Sequence, residues 1–274
     1  MDEPFKQSVS HTIAQAVARV LERNSIAALA TLVEASTGGV GAKILVDEAG
    51  EFYGSLGDRA LDEAVVSYVE TFLHSRAEAR TFKLAEITSE LAPKTDARIL
   101  FERIEPEPRL VICGAGHVGA SLARLARFIG YRTTLIDDRA DFIARALFPD
   151  EGIELIVAAD GWADALRKGI GAGRGVSVAV VTRGHNEDEE CMRAIMQTQP
   201  DYVGLIGSRR RTNIVLDRLR EAGIDENRLR EVRAPVGLDI GAVSPQEVAL
   251  SILAEIVAER RGGTGLPLSS WRRT

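Results

Sequence analysis

The apolar run Leu110-Val111-Ile112-Cys113 passes directly into Gly114-Ala115-Gly116-His117-Val118-Gly119, and this junction restricts the fold more than any other stretch. Glycines spaced G-x-G-x-x-G suit a strand that turns sharply into a helix. The first permits the turn, the second lets backbone approach a phosphate, and the third lets the helix pack on the strand. Beyond it, short apolar runs at 133–136, 155–157, 176–181 and 202–206 alternate with helical stretches. That alternation predicts a parallel sheet with helices on both faces, a Rossmann-like α/β arrangement. The last helix opens with Ser244-Pro245-Gln246-Glu247, which places serine at the N-cap, proline at N1 and glutamate at N3. Gly262-Gly263 ends it.

The first half has a different pattern. A helix is expected over 10–24, with Ile13, Val17, Val20 and Leu21 as its apolar stripe and Ser10 as its N-cap. Strands are expected at 26–33, 42–46, 51–54, 81–84 and 97–104, with a glycine-rich connection at 37–41. Leu61, Val65, Val69 and Phe72 mark a second helix. This is a smaller α+β domain. Glu105-Pro106-Glu107-Pro108 stiffens and extends the chain after it. The expected organisation is an N-terminal α+β domain over 1–105, the Rossmann-like domain over 106–262 and a flexible tail over 263–274.

Composition narrows the class. A chain of 274 residues suits about two domains. With 34 basic and 40 acidic residues the formal charge is −6, so there is no global attraction to nucleic acid. No apolar stretch is long enough for a membrane span, and no secretory signal opens the chain. The two cysteines, Cys113 and Cys191, cannot build a disulfide scaffold. A cytoplasmic protein is expected.

The candidate ligand residues gather after the strands, where open α/β sheets bind. Gly114, Gly116 and Gly119 form the phosphate loop, with the helix N-terminus offering free N–H groups and partial positive charge. Asp137, 18 residues after Gly119, could accept from ribose hydroxyls. Arg183 and His185 follow the fourth strand, and His117 approaches the same edge. Ser208-Arg209-Arg210-Arg211 opens another helix. Arginines in a first turn oppose the helix dipole, which favours a bound anion, although pairing with surplus carboxylates would also account for them. Asp239, between Gly237 and Gly241, could close the pocket or bond its own backbone. His185 with Asp188 is too small a set for a zinc site. Cys113 reads as a small buried hydrophobe, and the acids before Cys191 disfavour its thiolate.

Taken together, GAGHVG, LIDDR, VVTRGHNED, YVGLIGSRRR, APVGLDIGA and SPQEVALSILAEI occur in an order that resembles the XdhC/CoxI family. These are accessory proteins of xanthine and carbon monoxide dehydrogenases. The resemblance implies a chaperone that binds molybdenum cofactor (molybdopterin) without turnover and protects it while it receives its terminal sulfur. A cysteine desulfurase supplies that sulfur, and the cofactor passes to the apo-enzyme of a molybdenum hydroxylase. Homodimerisation fits the family, though no residue fixes it. The chain departs from the family's GSxGGGCxE-like run: Asp58-Arg59 replace glycines, and Ala60 stands where the cysteine is usual. Residues 36–41 also match the family loosely. The alternative reading of the same glycine loop is an NAD(P)-dependent oxidoreductase or a nucleotide sensor, with Arg139 leaving NAD and NADP open. Against an enzyme, no proton donor is evidently paired with a substrate pocket.

Overall fold

The computed structural model describes residues 3–36, 38–75, 77–88, 96–171, 173 and 175–269, with backbone alone for 3–12. It divides into two compact units, Met1–Pro106 and Glu107–Thr274. Of the expected tail, 270–274 lies outside the described residues, as does Thr37 of the glycine-rich connection.

The first unit runs α1 (Glu3–Glu22), β1 (Ala27–Glu34), β2 (Lys43–Asp47), β3 (Phe52–Ser55), α2 (Arg59–His74), β4 (Ala79–Lys83), α3 (Leu84–Ile87) and β5 (Arg98–Ile104). Its antiparallel sheet has the order β3-β2-β1-β5-β4. The period of two along β1 sorts its side chains. Ala28, Ala30 and Leu32 join the core under α2, whereas Ala27 and Leu29 join Ile13, Ala16 and Val20 of α1. The expected stripe Leu61, Val65, Val69 and Phe72 is the buried face of α2. Tyr68 and Phe72 of α2 pack mainly edge to face on Phe82 of β4 and Phe101 of β5. One expectation needs correction: α1 begins at Glu3, so Ser10 is interior to the helix and not its N-cap. Pro4 is no obstacle, because a residue in the first turn has no intrahelical acceptor for its N–H.

The second unit runs β6 (Arg109–Cys113), α4 (His117–Phe128), β7 (Arg132–Asp137), β8 (Ile153–Val157), α5 (Trp162–Ile170), β9 (Val176–Val180), α6 (His185–Ile195), β10 (Tyr202–Leu205), α7 (Arg209–Glu221), α8 (Glu226–Glu231) and α9 (Pro245–Arg261). Its five strands are parallel in the order β10-β9-β6-β7-β8. This is the Rossmann-like sheet expected from the sequence. Successive residues of β6 alternate between the two cores. Leu110 and Ile112 pack with α4 and α9, while Val111 and Cys113 pack with α5, α6 and α7. Each core closes one face of the sheet.

The free side of β10 is covered by residues 233–236. The Arg233 N–H donates to Val203 O, the Leu205 N–H to Arg233 O, and the Val236 N–H to Leu205 O. The loop beyond it is pinned to α9. Glu255 Oε2 accepts from the Tyr202 hydroxyl at 2.6 Å and from the Gly237 N–H at 2.9 Å. Ser251 Oγ donates to Leu238 O at 2.6 Å. Burial, and then the Glu255 carboxylate, push the Tyr202 hydroxyl pKa upward. Tyr202→Phe therefore removes a hydrogen bond to a charged acceptor, and should lower stability by about 2 kcal/mol in urea unfolding. A midpoint equal to that of the wild type would show that the bond contributes nothing net.

Candidate functional site

The chain leaves β6 through α4 to β7 and β8, then returns to β9 on the other side of β6. The loops after β6 and β9 therefore diverge to opposite faces, and a crevice opens beyond the carboxyl ends of these strands. Gly114, Gly116 and His117 enter it from one side, and Arg183 and His185 from the other.

The three glycines have separate reasons. Gly114 has φ +110°, and a Cβ there would lie 2.6 Å from Val181 O. A Cβ on Gly119 would sit on the Gly114 carbonyl oxygen. Both positions are set by the fold. Gly116 is the N-cap of α4 with φ −66° and ψ −174°, and a Cβ there meets nothing within 4 Å. Ser208 and Ser244 hold similar N-cap dihedrals and cap their helices by accepting a backbone N–H. A serine at 116 would serve the helix better than glycine does. The absence of a side chain keeps space open at an uncapped helix N-terminus. Gly184 likewise caps α6 without a side chain, but Glu187 and Asp188 occupy that first turn. The first turn of α4 holds no acid, and its partial positive charge faces the crevice.

Asp137 stands at the end of β7, only 1% exposed. Its Oδ2 accepts from the Ala115 N–H at 2.6 Å and from Arg139 Nη2 at 2.9 Å. Its Oδ1 accepts from the Arg139 backbone N–H and from Nε, at 2.9 and 2.8 Å. A carboxylate offers about four lone-pair sites, and four donors fill them. Asp137 thus holds the glycine loop and Arg139, with no acceptor left for a ribose diol in this arrangement. The Arg139 guanidinium lies 3.7 Å from the centroid of the Phe142 ring.

The next residue, Asp138, accepts a bidentate pair from Arg183 at 2.7 and 2.8 Å. Since β6 lies between β7 and β9, this bridge spans the end of the strand that carries the glycine loop. The third arginine of the basic turn is also engaged. Arg211 donates through Nε and Nη2 to Asp188 Oδ2, while the Thr182 hydroxyl donates to Oδ1 at 2.6 Å. Burial pushes the Asp188 carboxyl upward, against the pull of these two donors. Pairing with a carboxylate thus accounts for Arg211. The side chains of Arg209 and Arg210 are exposed and have no hydrogen bond or ion pair among the described residues. Ser208 caps their helix by accepting from the Arg211 N–H. They lie two strands from the glycine loop, roughly 10 Å by ordinary strand spacing.

The side chains of His117, His185 and Asp239 are exposed, with no partner among the described residues. Asp239 does not bond its own backbone, and its loop is held by Glu255 and Ser251. Among the described residues, no group of three His, Cys, Asp or Glu side chains could hold a metal ion. Cys113 and Cys191 are buried, and burial followed by the neighbouring Cys113 pushes the Cys191 thiol well up. In the first unit, the run that departs from the family pattern is a capped helix start. Asp58 accepts from the Leu61 N–H, and Asp62 accepts from Ser55 Oγ and the Leu56 N–H. Motif spacing does not reveal the roles of Arg139, Asp138, Arg211 and Glu255. The contiguous Asp137-Asp138-Arg139 is a signal in the sequence that points toward the first two.

The glycine geometry separates two substitutions. Gly119→Ala should destabilise by about 2 kcal/mol through overpacking, while Gly116→Ser should be neutral or stabilising by up to about 1 kcal/mol. Thermal unfolding of both variants decides, and equal losses would show that Gly116 also serves the fold. The Arg183 guanidinium holds the Asp138 carboxyl down at about 2. A folded pKa below the unfolded one gives stability that is present above about pH 4 and lost as pH falls toward 2. Asp138→Asn should cost about 1 kcal/mol at pH 7, discounted for solvent screening. That difference should shrink as pH falls from about 4 toward 2 in urea titrations, and a constant difference would remove the bridge as its source.

Residues 110–256 match the XdhC Rossmann domain, and residues 20–83 match the XdhC and CoxI family. The Escherichia coli protein YqeB is 30% identical over 255 residues, covering 90% of this chain and 46% of that protein. A Bacillus subtilis protein described as a probable subunit of xanthine dehydrogenase is 30% identical over 163 residues, covering 60% of this chain and 46% of that one. The molybdenum cofactor insertion chaperone PaoD of Escherichia coli is 33% identical over 75 residues, 27% of this chain and 24% of PaoD. The chain spans about half the length of the first two relatives. In fold it is similar to the crystal structure of a xanthine dehydrogenase from Bacillus halodurans, with a TM-score of 0.65 at 22% identity, over 90% of this chain and 66% of that one. Among the described residues, no helix is long and apolar enough to cross a membrane. With more than half of its length matching the XdhC Rossmann domain, the chain belongs to the XdhC and CoxI family.

Proposed function

We propose that this protein binds molybdenum cofactor at the crevice beside β6 and passes it to a xanthine dehydrogenase-type enzyme. The observation that carries this reading is Gly116. It keeps open the acid-free N-terminus of α4 where the fold alone would accept a serine. A phosphate is the group that such a space suits. Arg209 and Arg210 add two unpaired cations on the same edge, and His117, His185 and Asp239 offer polar groups to a pterin. The names of two relatives, a molybdenum cofactor insertion chaperone and a probable xanthine dehydrogenase component, support the choice of cargo. Arg183 would join the site by exchanging Asp138 for the ligand's phosphate, since the guanidinium fork matches either anion.

In this role the protein needs affinity and shielding from water, with no transition state to stabilise. Sulfur would come from a separate cysteine desulfurase, and the recipient would be a molybdenum hydroxylase apo-enzyme. Ala60 cannot ligate molybdenum or carry sulfur as a thiolate would. Holding the cargo therefore falls to its phosphate and its ring. The dinucleotide alternative rests on the glycine loop, but it also needs an acid free to accept from ribose, and the acceptor sites of Asp137 are filled.

Anaerobic calorimetry with molybdenum cofactor, NAD and NADP in parallel is the test. Stoichiometric binding of molybdenum cofactor alone is expected. Arg209→Ala with Arg210→Ala should weaken it about tenfold, or about 1.4 kcal/mol. Gly116→Val should abolish binding while the protein stays folded. Selective binding of a dinucleotide would overturn the reading, and unchanged affinity in the double variant would remove the two arginines from the site.

A further inference from the structure

We infer that Arg139 is a stacking platform for a planar heterocycle, so that the crevice takes a flat ring at β7 together with the phosphate at β6. The inference rests on the anion reading of the glycine loop and adds the place where the ring binds.

The Arg139 guanidinium is fixed in orientation by two contacts. Its Nε and Nη2 donate side by side to the two oxygens of Asp137, at 2.8 and 2.9 Å. One of its faces lies on Phe142, with Cζ 3.7 Å from the ring centroid. Asp137 is itself buried and anchored by the Ala115 N–H, so the carboxylate that orients the fork is held in place. About a third of the Arg139 side chain remains open, 32% by area. Nη1 has no hydrogen-bond partner among the described residues, and the platform would use that edge and the face opposite Phe142.

A planar cation in that state suits a flat heteroaromatic ring bearing acceptor atoms, through stacking and hydrogen bonding. The ring would stack on the free face and accept from Nη1. A mobile surface arginine would have to be ordered on binding, and this one is ordered in advance. The distance is suitable, since β7 is the immediate neighbour of β6 and one strand spacing is roughly 5 Å. A ligand whose phosphate meets Gly116 can therefore lay its ring on Arg139. The same geometry explains why Asp137 is saturated: it holds the platform and does not itself contact the ligand.

The test compares neopterin monophosphate with glycerol 3-phosphate by calorimetry, so that the ring is the only difference in class. In the wild type, neopterin monophosphate should bind at least tenfold more tightly. Arg139→Lys keeps the charge but removes the plane, and should bring that ratio close to one with glycerol phosphate binding unchanged. Phe142→Leu leaves Asp137 untouched and should lower the ratio severalfold, which keeps the test decisive if Arg139→Lys does not fold. Equal binding of the two probes by the wild type would overturn the platform while leaving the anion site standing. A ratio preserved in both variants would do the same. Binding of neither probe would overturn the anion site and the platform together.

Discussion

The carboxyl edge of the parallel sheet depends on one buried carboxylate. Asp137 is almost completely removed from water, and an isolated charge in that position would be strongly unfavourable. It persists there because four N–H donors surround it, two from backbone and two from the Arg139 side chain. One of those donors is the second residue of the glycine loop, so the loop after β6 and the residues after β7 form a single unit. Gly114 can follow that path only with its positive φ, and Gly119 lets α4 descend onto it. The loop geometry that suits a phosphate is thus held by a charge that the ends of two strands share.

The cations on this edge sort into those the fold uses and those it leaves. Arg139 is held by Asp137, Arg183 by Asp138 and Arg211 by Asp188. Asp137 and Asp188 are buried, so removing either arginine would leave a buried charge uncompensated, whereas Arg183 is half exposed and also pairs with Glu187 at 3.0 Å, which leaves it free to change partners. Arg209 and Arg210 have no such role, and their place in the first turn of α7 works against the helix dipole. A surface that accepts this conflict gains from an anion arriving there. The proposed cargo is anionic through its phosphate, and the protein's overall charge of −6 confines attraction for it to this local patch.

Much of this is legible from the order of residues. The alternation of apolar runs locates all five parallel strands, because buried parallel strands are continuous apolar runs that little else imitates. The stripe of α2 and the capping box of α9 are equally plain. Relations between distant residues are not. Asp137 is in the position of a ribose acceptor by spacing, and only its neighbours in space show that its lone pairs are taken. Arg211 is indistinguishable from Arg209 and Arg210 in the sequence. Helical periodicity across α6 and α7 turns it toward Asp188, 23 residues earlier. The start of α1 is misread for a local reason: Ser10 is a strong capping residue, yet the helix continues through it to Glu3.

The first unit bears on the same question from another direction. Where the family resemblance implies glycines and a cysteine, this chain has Asp58, Arg59 and Ala60, and these residues are coherent as structure. Asp58 caps α2, Arg59 pairs with Glu63 one turn on, and Asp62 ties the preceding loop through Ser55 and Leu56. In place of a glycine-rich, thiol-bearing run stands a capped helix start, with Ala60 an unreactive surface methyl in its first turn. Chemistry that needs a sulfur ligand cannot occur there. The two cysteines of the chain are buried in the other unit, where low polarity disfavours a thiolate. On the proposed function, the grip on the cargo comes from groups that recognise its organic part. The crevice offers an open helix N-terminus, the unpaired side chains of Arg209 and Arg210 lie on the same edge, and the inferred platform adds a planar guanidinium held by Asp137 and Phe142.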